Sequence, residues 1–258
     1  MAAYAIEPCV SSRPQQALIV ALTLKACQIA RAAVAHAADG LAQGSSTHFI
    51  AVKDCEKELD LLRYEISERV TSAVSQLQWE ETRELLACLK FALDLERIGD
   101  LICSVAGRAQ AVGPRVGTED LKDLIHMAAV LEKMLADIFE AFSARDLDRA
   151  LAVIRADGEI DRWRNLLFIR YVEDPEGVAG LEGVQVLSMA QALERAGDHA
   201  RNLAQEVCQL VSGKSVHHLL HANSKSTEQM FIEWLRQKES AVKSTDKELD
   251  GGLIESVA

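Results

Sequence analysis

Apolar residues recur every three to four positions through most of the chain, as at Leu59, Leu62, Ile66 and Val70, and again at Leu121, Leu124, Ile125, Ala128 and Leu131. That is the period of helices with one face turned to a core. Breakers divide the pattern into six. Pro14 suits a first-turn position, and the first helix is expected from there to about Asp39, ended by Gly40 and Gly44. Ser45-Ser46-Thr47 reads as the capped start of a second helix, about His48 to Gln76. A third covers about Glu80 to Val112 and stops at Gly113-Pro114; a fourth starts at about 119, behind Thr118, and gives out near Ser143. The fifth runs from about Ala144 or Asp146 to Val172, where Asp174-Pro175-Glu176-Gly177 is a turn. The sixth spans about Leu181 to Val211 and closes at Gly213. Residues 1–13 read as an irregular lead-in, and the stretch after His217 as a polar extension with one helix around Thr227 to Val242.

The second three helices repeat the first three. Leu95-Glu96-Arg97-Ile98-Gly99-Asp100 returns as Leu193-Glu194-Arg195-Ala196-Gly197-Asp198, 98 residues on. One helix earlier, Glu56 and Asp60 answer to Asp157 and Asp161 at a separation of 101. Two carboxylates four apart share a helix face and repel, and a mid-helix glycine costs about 1 kcal/mol relative to alanine. Two unfavourable choices made twice in the same order call for compensation from outside the helix. The register supports convergence: two sites on an antiparallel hairpin meet only if the turn lies midway between them. The midpoints fall at Asp174–Gly177 in the second half and at Gln78-Trp79 in the first. Each half therefore gathers four carboxylates at one level, roughly 30 Å from its turn at 1.5 Å per residue.

Four negative charges in one groove need protonation, an inserted arginine or a metal ion. Oxygen donors without cysteine suit iron, manganese, magnesium or zinc. A ferritin-like di-iron site is disfavoured, because neither Glu96 nor Glu194 has a histidine three residues on. Arg97 and Arg195 read as ion-pair partners or exposed side chains, His199 as a packed residue or one behind the ligands, and Asp94 and Asn202 as water-bridging or solvated. A net charge of −11 argues against nucleic acid or anionic lipid as a bulk electrostatic partner and favours cations. The six cysteines, Cys9, Cys27, Cys55, Cys88, Cys103 and Cys208, form no C-x-x-C pair and read as reduced, mostly buried thiols of a cytosolic protein. The apolar segment Ala17–Ala38 is interrupted by Lys25, Gln28, Arg31 and His36, so a packed helix is expected there, not a membrane span, and the N-terminus lacks a signal-peptide layout.

Other signals fall short. Gly213-Lys214-Ser215 ends like a P-loop, but Cys208 stands where the first glycine is required. His217, His218 and His221 read as a polar helix end with adventitious metal affinity. No Ser/His/Asp or Cys/His arrangement and no G-x-G-x-x-G loop is evident, which argues against a conventional enzyme.

The duplicated three-helix units, the four (E/D)xxxD pairs, the L-E-R-x-G-D motif and the ending Val211-Ser212-Gly213-Lys214-Ser215-Val216-His217 resemble the PhoU family of phosphate-signalling regulators over residues 14–218. The resemblance implies an all-α fold of two tandem three-helix bundles, at 14–113 and 118–213, with an extension at 214–258 that is partly helical or disordered. It further implies iron or zinc clusters, with manganese or magnesium as alternatives, on Glu56, Asp60, Glu96 and Asp100 in the first bundle and on Asp157, Asp161, Glu194 and Asp198 in the second. Leu101 and Ser104, where the second copy has His199 and Asn202, suggest a weaker or different first site. The implied role is a cytoplasmic negative regulator of phosphate uptake and the phosphate-starvation response. It would be homodimeric, reaching the membrane's inner face only through its partners, a phosphate ABC transporter ATPase and a sensor histidine kinase. Two alternatives stand beside it: an accessory of a sodium-phosphate or low-affinity phosphate carrier, and a carboxylate-metal phosphohydrolase or oxidase.

Overall fold

In the computed structural model, residues 12–74, 79–173 and 181–213 are described. They form α1 (Ser12–Gln43), α2 (Ser46–Ala73), α3 (Trp79–Val112), a 3-10 turn at Gly113–Arg115, α4 (Thr118–Ala144), α5 (Leu147–Glu173) and α6 (Leu181–Ser212), with no strand among the described residues. The fold is all-α, and α1–α3 and α4–α6 are two tandem three-helix bundles. The expected Asp174–Gly177 turn, the P-loop-like residues, the histidine cluster and the C-terminal extension lie outside the described residues, or nearly all of them do.

The bundles share a seam. α1 packs on α2 and α3 and also on α4 of the second bundle. α3 and α6 run antiparallel: Lys90 pairs with Glu206 at 2.8 Å, Asp94 bonds His199 at 2.8 Å, and Arg108 reaches Gln185 at 2.9 Å, so rising numbers on α3 meet falling ones on α6. At the heart of the seam, Phe91 of α3 and Phe142 of α4 stack with ring centroids 4.5 Å apart, and both are buried.

Helix α1 is long and apolar enough, by composition, to cross a membrane. Here it is a core helix: Ile19, Cys27, Ala30, Ala33, Val34 and Ala37 are fully buried against neighbouring helices, while Lys25 and Arg31 on its outer face pair with Glu58 and Glu132.

Some boundaries differ from the sequence expectation for steric reasons. Gly40 does not end α1, which continues to Gln43 and stops at Gly44, whose φ of +63° is the left-handed geometry glycine tolerates. Gly40 is instead the place where α2 closes in, since a methyl group there would overlap the buried ring of Phe49. Ser45 holds the extended N-cap backbone of α2 but makes no side-chain capping bond. α4 ends without glycine at Arg145 (φ 56°), held by an ion pair to Glu84 and by its stacking over Phe142 at 4.7 Å. Asp146 then caps α5 by accepting from the Arg149 N–H at 3.1 Å.

Gly40 provides a test. Alanine at a helix-interior glycine ordinarily adds about 1 kcal/mol of stability, and Gly107→Ala, with open space around it, is expected to show that gain. Gly40→Ala must displace the Phe49 ring and is expected to lower stability by about 1–2 kcal/mol, because overpacking costs about 1–3. Urea midpoints of the two variants moving in the same direction would refute the close-approach role.

Cys27, Cys88 and Cys208 are buried free thiols, and burial pushes Cys27 and Cys208 up to about 12 and Cys88 to about 11. Cys55 and Cys103 are free and only half-buried, and Cys9 lies outside the described residues.

Candidate metal centre

Each acidic pair sits where its helix meets a glycine of the next. An added Cβ on Gly99 of α3 would stand 2.7 Å from Leu59 Cδ1 and 3.9 Å from the Glu56 Cα of α2. The same approach recurs in the second bundle, where a Cβ on Gly197 of α6 would meet Ile160 Cδ1 at 3.0 Å and Asp157 Oδ1 at 3.5 Å on α5. The interior glycines thus let the backbones come together at the level of the acids, the arrangement that the hairpin midpoints anticipate.

Burial within the clusters is uneven. Asp157, Glu194 and Glu96 turn inward, with side-chain exposures of 7%, 12% and 16%. Asp60, Asp100 and Asp198 remain about half exposed. In the second bundle burial first, then the charges of Asp198 and Asp161, push the Asp157 and Glu194 carboxyls above the usual carboxylate range, against the opposing pull of Arg201 on Asp157 and of Arg164 on Glu194. In the first bundle Glu56 and Asp100 both act on the Cys103 thiol, which burial chiefly pushes up.

The counter-charge in this structure is arginine. Arg63 reaches Asp60 at 3.1 Å and Glu96 at 3.6 Å, and Arg97 joins Glu96 at 3.6 Å to Asp100 at 3.3 Å. In the second cluster Arg164 lies 3.4 Å from Glu194, and Arg201 holds Asp157 at 2.7 Å and Asp198 at 2.9 Å. No three of the eight carboxylates bring their oxygens within 4.8 Å of one another among the described residues. The clamps are incomplete, however: the buried Nε atoms of Arg63, Arg164 and Arg201 make no hydrogen bond, and that of Arg63 has only the Glu96 carboxylate at 3.6 Å. A buried donor left unpaired costs about 1–3 kcal/mol.

Arg63, Arg164 and Arg201 are members of the two clusters that the acidic motif alone does not single out. A signal exists for two of them, since Arg63 and Arg164 stand 101 residues apart, like Asp60 and Asp161. Arg201 has no such mate, because Cys103 occupies the corresponding place in the first bundle. Arg97 is both an ion-pair partner and exposed, Arg195 and Asn202 are exposed, and His199 with Asp94 forms a bond across the seam. Arg195 lines a cleft with Arg108, Arg164, Phe168 and Leu101 between α3, α5 and α6.

With this geometry in place, comparison with known proteins is specific. The PhoU domain family model matches twice, at residues 23–109 and 124–207, one match to each bundle. The chain is 30% identical over 181 residues to the phosphate-specific transport system accessory protein PhoU homolog 1 of Thermotoga maritima, covering 69% of this chain and 75% of that one. It is also 30% identical over 175 residues to the Pseudomonas aeruginosa homologue, covering 65% and 72%. The crystal structure of PhoU from Pseudomonas aeruginosa superposes with a TM-score of 0.73 at 25% identity, over 79% of this chain and all of that one. The Streptococcus pneumoniae protein, at 20% identity and a TM-score of 0.72, shares the fold. The two matched segments, the repeated acid clusters and the superposition over both bundles agree, and the chain belongs to the PhoU family.

Proposed function

We infer that the protein is an accessory regulator of phosphate transport that works without turnover, and that its two carboxylate clusters take up metal ions in exchange for arginine. The names of its relatives support the first part, since they are phosphate-specific transport system accessory proteins. One observation supports the second: in each bundle a mid-helix glycine brings inward-turned carboxylates against arginines whose buried Nε atoms make no hydrogen bond, that of Arg63 standing 3.6 Å from Glu96. Such a set is poised between two counter-charges. Iron, zinc, manganese or magnesium would be held by Glu56, Asp60, Glu96 and Asp100 in the first cluster and by Asp157, Asp161, Glu194 and Asp198 in the second. The bound ion would supply positive charge that four carboxylates share, which one guanidinium cannot do. Arg63, Arg164 and Arg201 would then swing outward and present new basic groups on the bundle surface.

In this reading the protein is a cytoplasmic, dimeric adaptor between the ATPase of a phosphate ABC transporter and a sensor histidine kinase, limiting uptake when phosphate is plentiful. Metal analysis tests the central step. Asp198→Ala is expected to remove most of the metal held by the second cluster in protein purified without added metal, leaving the first cluster loaded. An unchanged metal content by elemental analysis would overturn the assignment. Pull-downs with the two partners, before and after chelation, test the adaptor role.

A further inference from the structure

The geometry points to a second kind of metal site, built from His36 and Asp39 of α1 and His48 of α2, that takes one divalent transition-metal ion of the zinc class. It is independent of the carboxylate clusters: His48 precedes Glu56 by eight residues on α2, about 12 Å at 1.5 Å per residue. Among the described residues, this is the set of three His, Cys, Asp or Glu side chains whose donor atoms all lie within 4.8 Å of one another.

Four features make it a site and not a chance meeting. His36 and Asp39, three apart, lie on the same face of α1 near its C-terminal end, and His48 is in the first turn of α2. The corner between them is fixed. Only Gly44 and Ser45 separate the helices, the Gly44 N–H donates to the Gly40 carbonyl at 2.9 Å, and Phe49 packs into the space that Gly40 leaves open. The two imidazoles already approach, with centroids 5.9 Å apart and planes tilted by 38°. Finally, His36 Nδ1 is screened from solvent and has no hydrogen-bond partner, although a buried imidazole nitrogen normally finds one.

The donor set differs in kind from the carboxylate clusters. Two neutral imidazoles and one carboxylate suit zinc, copper, nickel or cobalt, and do not suit magnesium or calcium. No arginine or lysine pairs with Asp39 among the described residues, so a metal there displaces no cation. Tetrahedral zinc, with bonds of about 2.0–2.1 Å to nitrogen, sets its donors about 3.3 Å apart, inside the 4.8 Å that bounds their present spacing. Three protein ligands leave a fourth position, on the exposed Asp39 side, for water. Occupancy would pin α1 to α2 at the corner that sets the spacing of the first bundle.

The test uses the full-length protein labelled on histidine and titrated with zinc, and follows the imidazole resonances by NMR. His36→Gln and His48→Gln each remove one resonance and so assign the pair, and circular dichroism establishes that each variant keeps its helices. We expect the His36 and His48 signals to move together with the first equivalents of zinc. Asp39→Asn should weaken that response tenfold or more. Cobalt should give an intense visible band, from nitrogen ligation at low coordination number, that either glutamine variant abolishes. Zinc that binds while both resonances stay in place, or a cobalt band that survives in His48→Gln, would overturn the site. Neither outcome bears on the carboxylate clusters, which contain no histidine and would respond to Asp198→Ala instead.

Discussion

Replacing Arg201 by methionine is expected to lower stability at neutral pH by about 2–4 kcal/mol, read from urea-induced unfolding. Removing one partner of a buried ion pair costs about 3–5 kcal/mol, because the other charge is left without compensation, and the partly exposed Arg201 places the loss toward the lower end. The charge left behind is Asp157, buried beside Asp198 and Asp161, with its carboxyl already pushed above the usual range by burial. The double variant Arg201→Met with Asp157→Asn should recover most of the loss, since an amide carries no charge to strand. A coupling near zero in that cycle would mean that Arg201 and Asp157 do not compensate one another. The same substitution separates stability from metal uptake. With arginine and metal as alternative counter-charges, Arg201→Met should bind added manganese or zinc more tightly than the parent while being less stable without it. The first cluster has Cys103 at the corresponding position, so Cys103→Ala should shift neither property in this way.

Sequence revealed what is periodic and concealed what depends on side-chain reach. The acidic pairs and their glycines were legible because a four-residue spacing fixes a helix face, and a repeat fixes which faces correspond. The level at which they meet followed from the chain arithmetic of two hairpins. The arginines were not legible from the motif. A guanidinium lies several rotatable bonds from its Cα, and whether Arg63 turns back to Asp60 and Glu96 or out to water is decided by packing. In sequence Gly40 reads as a stop because a helix-interior glycine and a terminating one look alike in one dimension; the buried ring of Phe49 distinguishes them. Arg145 adopts left-handed backbone without the glycine that usually marks it, supported by Glu84 from another helix. The Asp94–His199 bond joins residues 105 apart across the seam. His36 and His48 are twelve positions apart and on different helices, so they pair only once the two-residue corner is known.

Phe91→Ala should be the most damaging single substitution considered, with an expected loss of about 3–5 kcal/mol, the range for a buried phenylalanine cut to alanine. Phe91 is fully buried and packs on Phe142 of the second bundle, which in turn carries Arg145 and, through it, the link back to Glu84 on α3. The cavity would open in the seam, so both bundles should lose stability together. Trp163 on α5 can report this, as it lies in the second bundle beside His126, at 4.8 Å between centroids. In a background keeping Trp163 as the single tryptophan, Phe91→Ala should shift the fluorescence midpoint and the circular-dichroism midpoint by the same denaturant increment. A fluorescence transition that stays at its parent position while the helical signal shifts would show that the bundles unfold separately. In that case a metal ion bound in one cluster could not influence the other through the shared core. Coincident shifts would make the seam a physical route by which a metal ion, if bound at either cluster as proposed, would stabilise both bundles.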